Sequence, residues 1–339
     1  MYAVSYRRFG AAAEVLKYED IPTPVPGHGE VRVRIYASGI NPSDVKNRAG
    51  IVAREMPFPM IVPHGDGAGV IDSVGAGVNE TRVGERVWIW NGQFRRAFGT
   101  CAEFITLPSQ QAVSLPANVS FREGACIGIP ALTAHRAVSF GQDIAGKTVL
   151  ISGGGGAVGH YAVQFAKLKG ATVIATASPG ARAEHARLAG ADHVLDYRLD
   201  TLSDAVLELT NGQGVDRVVE VEFGTNLPKI VTMVRPEGVV FVYGSAGEMQ
   251  PKVNIQTLMM RGITMHFRSV YLMPWSDRQP AIADLTALMQ QSRVTHAIGS
   301  VLPWEGVVAA HEALESGSVV GNVVVDVVPS AAPHNDATE

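Results

Sequence analysis

The residues most plainly arranged for chemistry are glycines. In segment 147–159, KTVLISGGGGAVG, Gly154, Gly156 and Gly159 stand at the spacing G-x-G-x-x-G. The pattern follows an apolar stretch, Thr148–Ile151, and opens a helical one, Val158–Lys169. That context predicts a dinucleotide site rather than a plain flexible loop. On this reading Gly154 allows the tight turn, Gly156 lets a pyrophosphate reach the chain, and Gly159 lets the helix pack on the strand. Gly155, Ala157 and Val158 complete a run of backbone whose N–H groups, at the positive end of a helix, receive phosphate.

The second strand ends Ile174-Ala175-Thr176-Ala177-Ser178, where a site that prefers NAD carries an acidic residue for the ribose hydroxyls. Here there is none. Ser178, Arg182 and the pair Tyr197-Arg198 are therefore the candidates for a 2′-phosphate, which favours charge-assisted hydrogen bonds and no neighbouring anion. The expected cofactor is NADPH.

These residues need a scaffold, and the chain predicts one. Its first 120 or so residues read as β-rich: Val31, Val33 and Ile35 alternate with Arg32 and Arg34, and short strands follow at Gly69–Val74, Arg86–Trp90, Ala102–Leu107 and Ala112–Leu115. From about Phe121 strands and helices alternate, which implies a parallel sheet with right-handed crossovers. Six strands are expected, at 148–151, 172–177, 193–197, 217–221, 239–243 and 263–266. A helix near Arg278–Gln291, another near Glu305–Glu315 and the strand Asn322–Val328 follow, then a polar tail, Pro329–Glu339, expected to be disordered.

The 339 residues suffice for about two domains. A net charge of −4 argues against nucleic acid or an anionic membrane as partner. Two cysteines, Cys101 and Cys126, point to a reducing compartment and structural thiols. The uncharged stretch Thr148–Ala166 contains a glycine turn that lipid would leave unsatisfied, so it reads as strand, turn and helix rather than a membrane span. The expected location is cytoplasmic.

Several further segments, in order, carry a resemblance: Ser38-Gly39-Ile40-Asn41-Pro42-Ser43-Asp44, Gly65-Asp66-Gly67-Ala68-Gly69-Val70, Val83-Gly84-Glu85-Arg86-Val87, Cys101-Ala102-Glu103-Phe104, Ala125 through Ala134, Gly190-Ala191-Asp192-His193 and Gly321-Asn322-Val323-Val324-Val325. Residues 1–328 resemble the medium-chain dehydrogenase/reductase superfamily, in the zinc-independent branch of quinone oxidoreductases and zeta-crystallin. The resemblance implies an α/β protein: a Rossmann doubly wound parallel sheet, residues 123–268, and a GroES-like β-rich catalytic domain from residues 1–122 with a return at 269–328. It also suggests a homodimer that joins sheets edge to edge.

In zinc-dependent members of that superfamily three side chains hold the metal, and the corresponding positions here are Asn41, Gly65 and Ile129. Gly65 and Ile129 have no ligating side chain, so no metal is expected. Without that Lewis acid the accessible reaction is hydride delivery to an electrophilic quinone or α,β-unsaturated carbonyl. The resemblance makes Asn41 the group that orients the nicotinamide ribose or substrate carbonyl. Lys46 stands where many relatives carry tyrosine and is a second catalytic candidate. Thr133, Gly244, Ser245, Arg268 and Asn322 are implied as cofactor contacts. Arg95 and Arg96 are candidates for holding an anionic substrate, and Tyr271 and Trp275 for an aromatic wall. Alternatives on the same scaffold are an enoyl or 2-haloacrylate-type C=C reductase and a non-catalytic NADPH-binding protein.

Overall fold

A computed structural model describes residues 1–327; the expected disordered tail lies outside the described residues. The chain forms two compact units. One comprises Met1–Ile129, Met289–Gln291 and the chain from Ile298; the other comprises Pro130–Leu288 and Ser292–Ala297. These divisions differ from boundaries at 122/123 and 268/269. The chain stays with the second unit beyond residue 268 because helix Trp275–Gln290 is tied there: Arg136 pairs with Asp277 at 3.2 Å and His135 with Asp284 at 3.0 Å.

In the second unit six strands run parallel in the order His193–Leu195, Thr172–Thr176, Thr148–Ile151, Val215–Glu220, Val234–Val242, Thr264–Phe267. In chain order this is 3-2-1-4-5-6, the doubly wound arrangement, and the order reverses between the first and fourth strands. The core on this sheet includes Leu150, Ile174, Val218, Val240 and the helix residues Leu227 and Ile230. The uncharged 148–166 segment is a strand, a glycine turn and the start of helix Ala157–Leu168. No helix among the described residues is long and apolar enough to cross a membrane.

The first unit is built on a seven-stranded mixed sheet. Its long strand, Glu30–Ile40, shares one edge between two partners: Glu30–Arg34 pair with Phe104–Pro108, and Ala37–Ile40 with Asn322–Asp326. Asp66–Val74 lies along the other edge. The predicted alternation is realised, since Val31, Val33 and Ile35 are fully buried and Arg34 is exposed. At the far end of the long strand, Asn41 caps the short helix Pro42–Arg48, with proline at its first turn.

Candidate active site

Each glycine of the turn has a separate reason. Gly153 takes φ +69° and makes the tight turn, a task expected of Gly154; the four-glycine run hides which member bends. A Cβ on Gly154 would meet the Ala175 Cβ at 2.7 Å, so Gly154 serves close packing on the second strand. On Gly155 it would meet the Arg182 carbonyl oxygen at 2.5 Å, and on Gly159 the Gly153 carbonyl oxygen at 2.1 Å. Gly156 has more room, with 3.3 Å to the nearest atom. It caps helix Ala157–Leu168 without any side-chain cap, and Gly153, Gly156, Ala157 and Val158 are half-exposed while Gly154, Gly155 and Gly159 are buried. The helix's first N–H groups, which have no intrahelical acceptor, therefore face outward past a residue without a side chain. Backbone and dipole suit a diphosphate.

The turn is fastened from below. Gly154 N–H donates to the Thr176 carbonyl at 2.9 Å, and the Ser152 hydroxyl to the Glu220 carboxylate at 3.0 Å. Glu220, at the end of the fourth strand, also takes N–H bonds from Glu222 and the Asn226 amide. Burial raises its carboxyl above the ordinary range. Two further expected contacts, Gly244 and Ser245, follow the fifth strand at the same end of the sheet.

At the proposed 2′-phosphate end, Ser178 and Arg182 flank the start of helix Ala181–Leu188. Tyr197 is exposed, and the Arg198 guanidinium is already bound by Asp196 through contacts of 2.8–3.2 Å. Asp196, two positions earlier in the same loop, therefore competes with a phosphate for Arg198. Thr133 is buried on helix Leu132–Ser139. Arg268 is exposed, lies over the Phe140 ring and lines a cavity of about 440 Å³ with Arg136, Phe267 and Asp277. Trp275 begins the helix that follows and Tyr271 is half-buried in the preceding turn.

Asn41, Lys46 and Asn322 belong to the first unit. Asn41 is 5% exposed, and its side-chain nitrogen donates to Asp66 Oδ2 at 2.8 Å. The same oxygen accepts the Ile129 N–H at 2.9 Å, while the Asn41 N–H donates to Asp44 at 2.8 Å. Strand register pairs Val323 with Ile40, which sets Asn322 beside Asn41. The positions aligned with metal ligands do come together, but as a hydrocarbon contact: a Cβ on Gly65 would lie 3.1 Å from Ile129 Cδ1. One amide, one bare backbone position and one isoleucine are not a donor set that fits zinc. Asp66 Oδ2 is taken by its two N–H donors.

Lys46 is half-buried in helix Pro42–Arg48. Arg96 donates to Gln111 at 2.7 Å through Nη2, its Nη1 is buried without a hydrogen-bond partner, and Arg95 stacks over Phe94. His64 is fully buried at φ +78°, with Ser38 Oγ 2.8 Å from Nδ1 and His311 Nε2 2.9 Å from Nε2. Burial depresses its basicity, as it does that of His311. Both cysteines are buried with thiol pKa values pushed up by burial.

Comparison with known proteins gives this arrangement a lineage. A family described as "Alcohol dehydrogenase GroES-like domain" matches residues 27–117, and one described as "Zinc-binding dehydrogenase" matches residues 157–287. The quinone oxidoreductase of Pongo abelii is 31% identical over 94% of this chain and 95% of its own length. The chain belongs to the medium-chain dehydrogenase/reductase superfamily, in its quinone oxidoreductase branch. Among solved structures, mycobacterial Rv1454c complexed with NADPH is similar at a TM-score of 0.86 and 29% identity, covering 96% of this chain and 100% of that one. An NAD-dependent alcohol dehydrogenase is similar at 0.87 and 30%, covering 97% and 100%. In this quinone oxidoreductase-branch chain the residues that sequence reading missed are acceptors: Asp66, Glu220, Glu222 and Asp196. Asp66, Glu220 and Glu222 act on partners remote in sequence or on backbone, whereas Asp196 stands only two positions before its partner Arg198.

Proposed function

We propose that this chain is an NADPH-dependent reductase of quinones and other α,β-unsaturated carbonyl compounds that works without zinc. The observation that carries the reading is the glycine turn at the point where the strand order reverses, with Gly156 leaving the helix N-terminus open to a diphosphate. The absence of a carboxylate after Thr176, with Arg182 in the next helix, supports NADPH over NADH; Asp196 would have to yield part of Arg198 to a 2′-phosphate. Bound NADPH supplies a hydride from C4 of its nicotinamide.

The chain's own contribution is to hold and to polarise. The glycine turn fixes the diphosphate, with Ser152 and Thr176 keeping that turn in place. Asn41 presents a neutral amide whose second N–H is the donor we assign to the ligand's oxygen, in a buried setting where one such bond counts for more than in water. With no zinc to activate an alcohol, the partner must be electrophilic already.

Strand Thr264–Phe267 ends the sheet order on one side, and beside it Met259, Met260 and Phe267 are exposed. An open edge flanked by apolar side chains supports a homodimer. Mixing the protein with NADPH and each of a quinone, an enone and an unsaturated acid, while following nicotinamide absorbance, tests the function. Rapid oxidation with the first two is expected. Oxidation with the acid alone would favour the C=C reductase on this scaffold, and none with any acceptor would favour a binding role.

A further inference from the structure

Two carboxylates sit two positions apart at the end of the fourth strand, and their tasks differ. Glu220 turns down to Ser152 beneath the glycine turn. Glu222 turns the other way, to the loop after the fifth strand. Its Oε1 accepts the Gly247 N–H at 2.8 Å and the Ala246 N–H at 3.0 Å, and its Oε2 accepts the Ala246 N–H at 2.9 Å. The Thr225 and Ser245 hydroxyls lie 3.3 Å from Oε1. Successive backbone N–H groups in a turn form a concave anion site. Here the anion is built into the chain.

The glycines on both sides are what allow this contact. A Cβ on Gly224 would lie 1.8 Å from the Glu248 carbonyl oxygen, and one on Gly244 would lie 2.6 Å from that of Val221. A Cβ on Gly247 would meet Thr225 Oγ1 at 2.8 Å. The loop at 244–248 is therefore pressed against the start of helix Phe223–Met233, and Glu222 is the charge that satisfies its N–H groups. Ser245 adds a second tie, accepting from the Gly224 N–H at 3.0 Å and donating to the Glu248 carbonyl at 2.9 Å. Ala246, Gly247 and Glu248 are themselves exposed, so burial of apolar surface contributes little to holding them.

We propose that Glu222 is a positioning residue that locks the 244–248 loop in the shape in which Gly244 and Ser245 meet the bound dinucleotide. The proposal rests on the NADPH reading above and adds a residue to it. A loop held by one half-exposed carboxylate is ordered before the cofactor arrives, so its ordering entropy is not charged against binding. Without Glu222 the loop must be ordered on binding.

The test is NADPH affinity by fluorescence titration of wild type, Glu222→Ala and Glu222→Gln, with steady-state kinetics on the same proteins. Glutamine keeps one acceptor oxygen in place of Oε1, which is the oxygen that takes both backbone N–H groups and lies within reach of the Thr225 hydroxyl. Glu222→Ala is expected to weaken NADPH binding and raise its KM by about tenfold with kcat little changed. Glu222→Gln is expected to recover most of the loss, and amide exchange at Ala246 and Gly247 should speed up in the alanine variant. Wild-type affinity in a folded Glu222→Ala protein would overturn the proposal while leaving the NADPH reading intact. Failure of the wild type to bind NADPH would overturn both.

Discussion

The side-chain nitrogen of Asn41 lies 2.8 Å from Asp66 Oδ2, and both residues are buried. Asp66 Oδ1 is buried without a hydrogen-bond partner, and burial pushes this carboxyl well above its usual range. Any proton it carries belongs on Oδ1, so Oδ2 remains an acceptor in either state. An acceptor there fixes which end of the Asn41 amide is nitrogen. The orientation of the proposed donor is thus set by a residue 25 positions away.

Removing Asn41 should cost catalysis. Asn41→Ala is expected to lower kcat/KM for a quinone by about a hundredfold, the usual scale for a lost donor to developing oxygen charge. Asp66→Ala should act on both activity and fold, because it strands the Asn41 amide and the Ile129 N–H, at a cost of about 1–3 kcal/mol each. Denaturant unfolding checks the second effect. Unchanged kcat/KM in Asn41→Ala would remove it from the mechanism.

Asp44 gives a pH dependence of definite sign. Burial pushes its carboxyl from 3.8 up to about 7, against the N–H donors of Asn41 and Gly65. A folded value above the unfolded one means the folded state holds the proton more tightly. The stability it contributes is complete below pH 3.8 and is lost as pH rises to about 7. Asp44→Asn, which keeps an acceptor for the Asn41 N–H, should flatten the stability curve across that window. An identical slope in both proteins would contradict the assignment.

The buried His64–His311 pair has the opposite sign. A contact of 2.9 Å between the two Nε2 atoms requires one donor and one acceptor, so both rings are neutral in complementary tautomers. Burial, with Arg48 nearby, takes His311 from 6.5 down to about 3. Its stabilising share is present above pH 6.5 and is lost as pH falls toward 3. His311→Gln should be less stable at neutral pH yet lose less on acidification, as followed by thermal unfolding over a pH series.

Two glycines of one turn should fail in different ways. An alanine Cβ at Gly159 would lie 2.1 Å from backbone and must displace the turn, so Gly159→Ala should lose about 1–3 kcal/mol of stability and NADPH affinity with it. At Gly156 the nearest atom is the Gly153 carbonyl oxygen at 3.3 Å, a contact relieved by a shift of a few tenths of an ångström, and φ of −94° is open to alanine. Gly156→Ala should stay closer to the wild-type melting temperature than Gly159→Ala and lose NADPH affinity, because the methyl group stands where we propose that the diphosphate approaches. Calorimetry and a cofactor titration on both variants separate the two.

Much of this was legible from local pattern. Period-2 alternation marked Val31, Val33 and Ile35, and strand–helix alternation marked all six parallel strands, because each signal lies within a dozen residues. The identity of the bending glycine was not legible, since four consecutive glycines admit several registers and the choice falls to packing on Ala175 and Arg182. Nor was the return to the first unit, because helix Trp275–Gln290 is assigned by Asp277 and Asp284 meeting Arg136 and His135 some 140 residues earlier. The acceptors Asp66, Glu220 and Glu222 are ordinary acidic residues in sequence and gain meaning only from the N–H groups folded around them.

The most direct test of the central claim is transfer of deuterium from NADPH labelled at C4 to an enone, whose β-carbon keeps the label as a C–D bond, by chelator-treated, metal-analysed protein, with the product read by mass spectrometry. The account predicts one deuterium per product molecule from one face of the nicotinamide, at a rate that chelation does not change. Product without label, or transfer that appears only when zinc is restored, would contradict it.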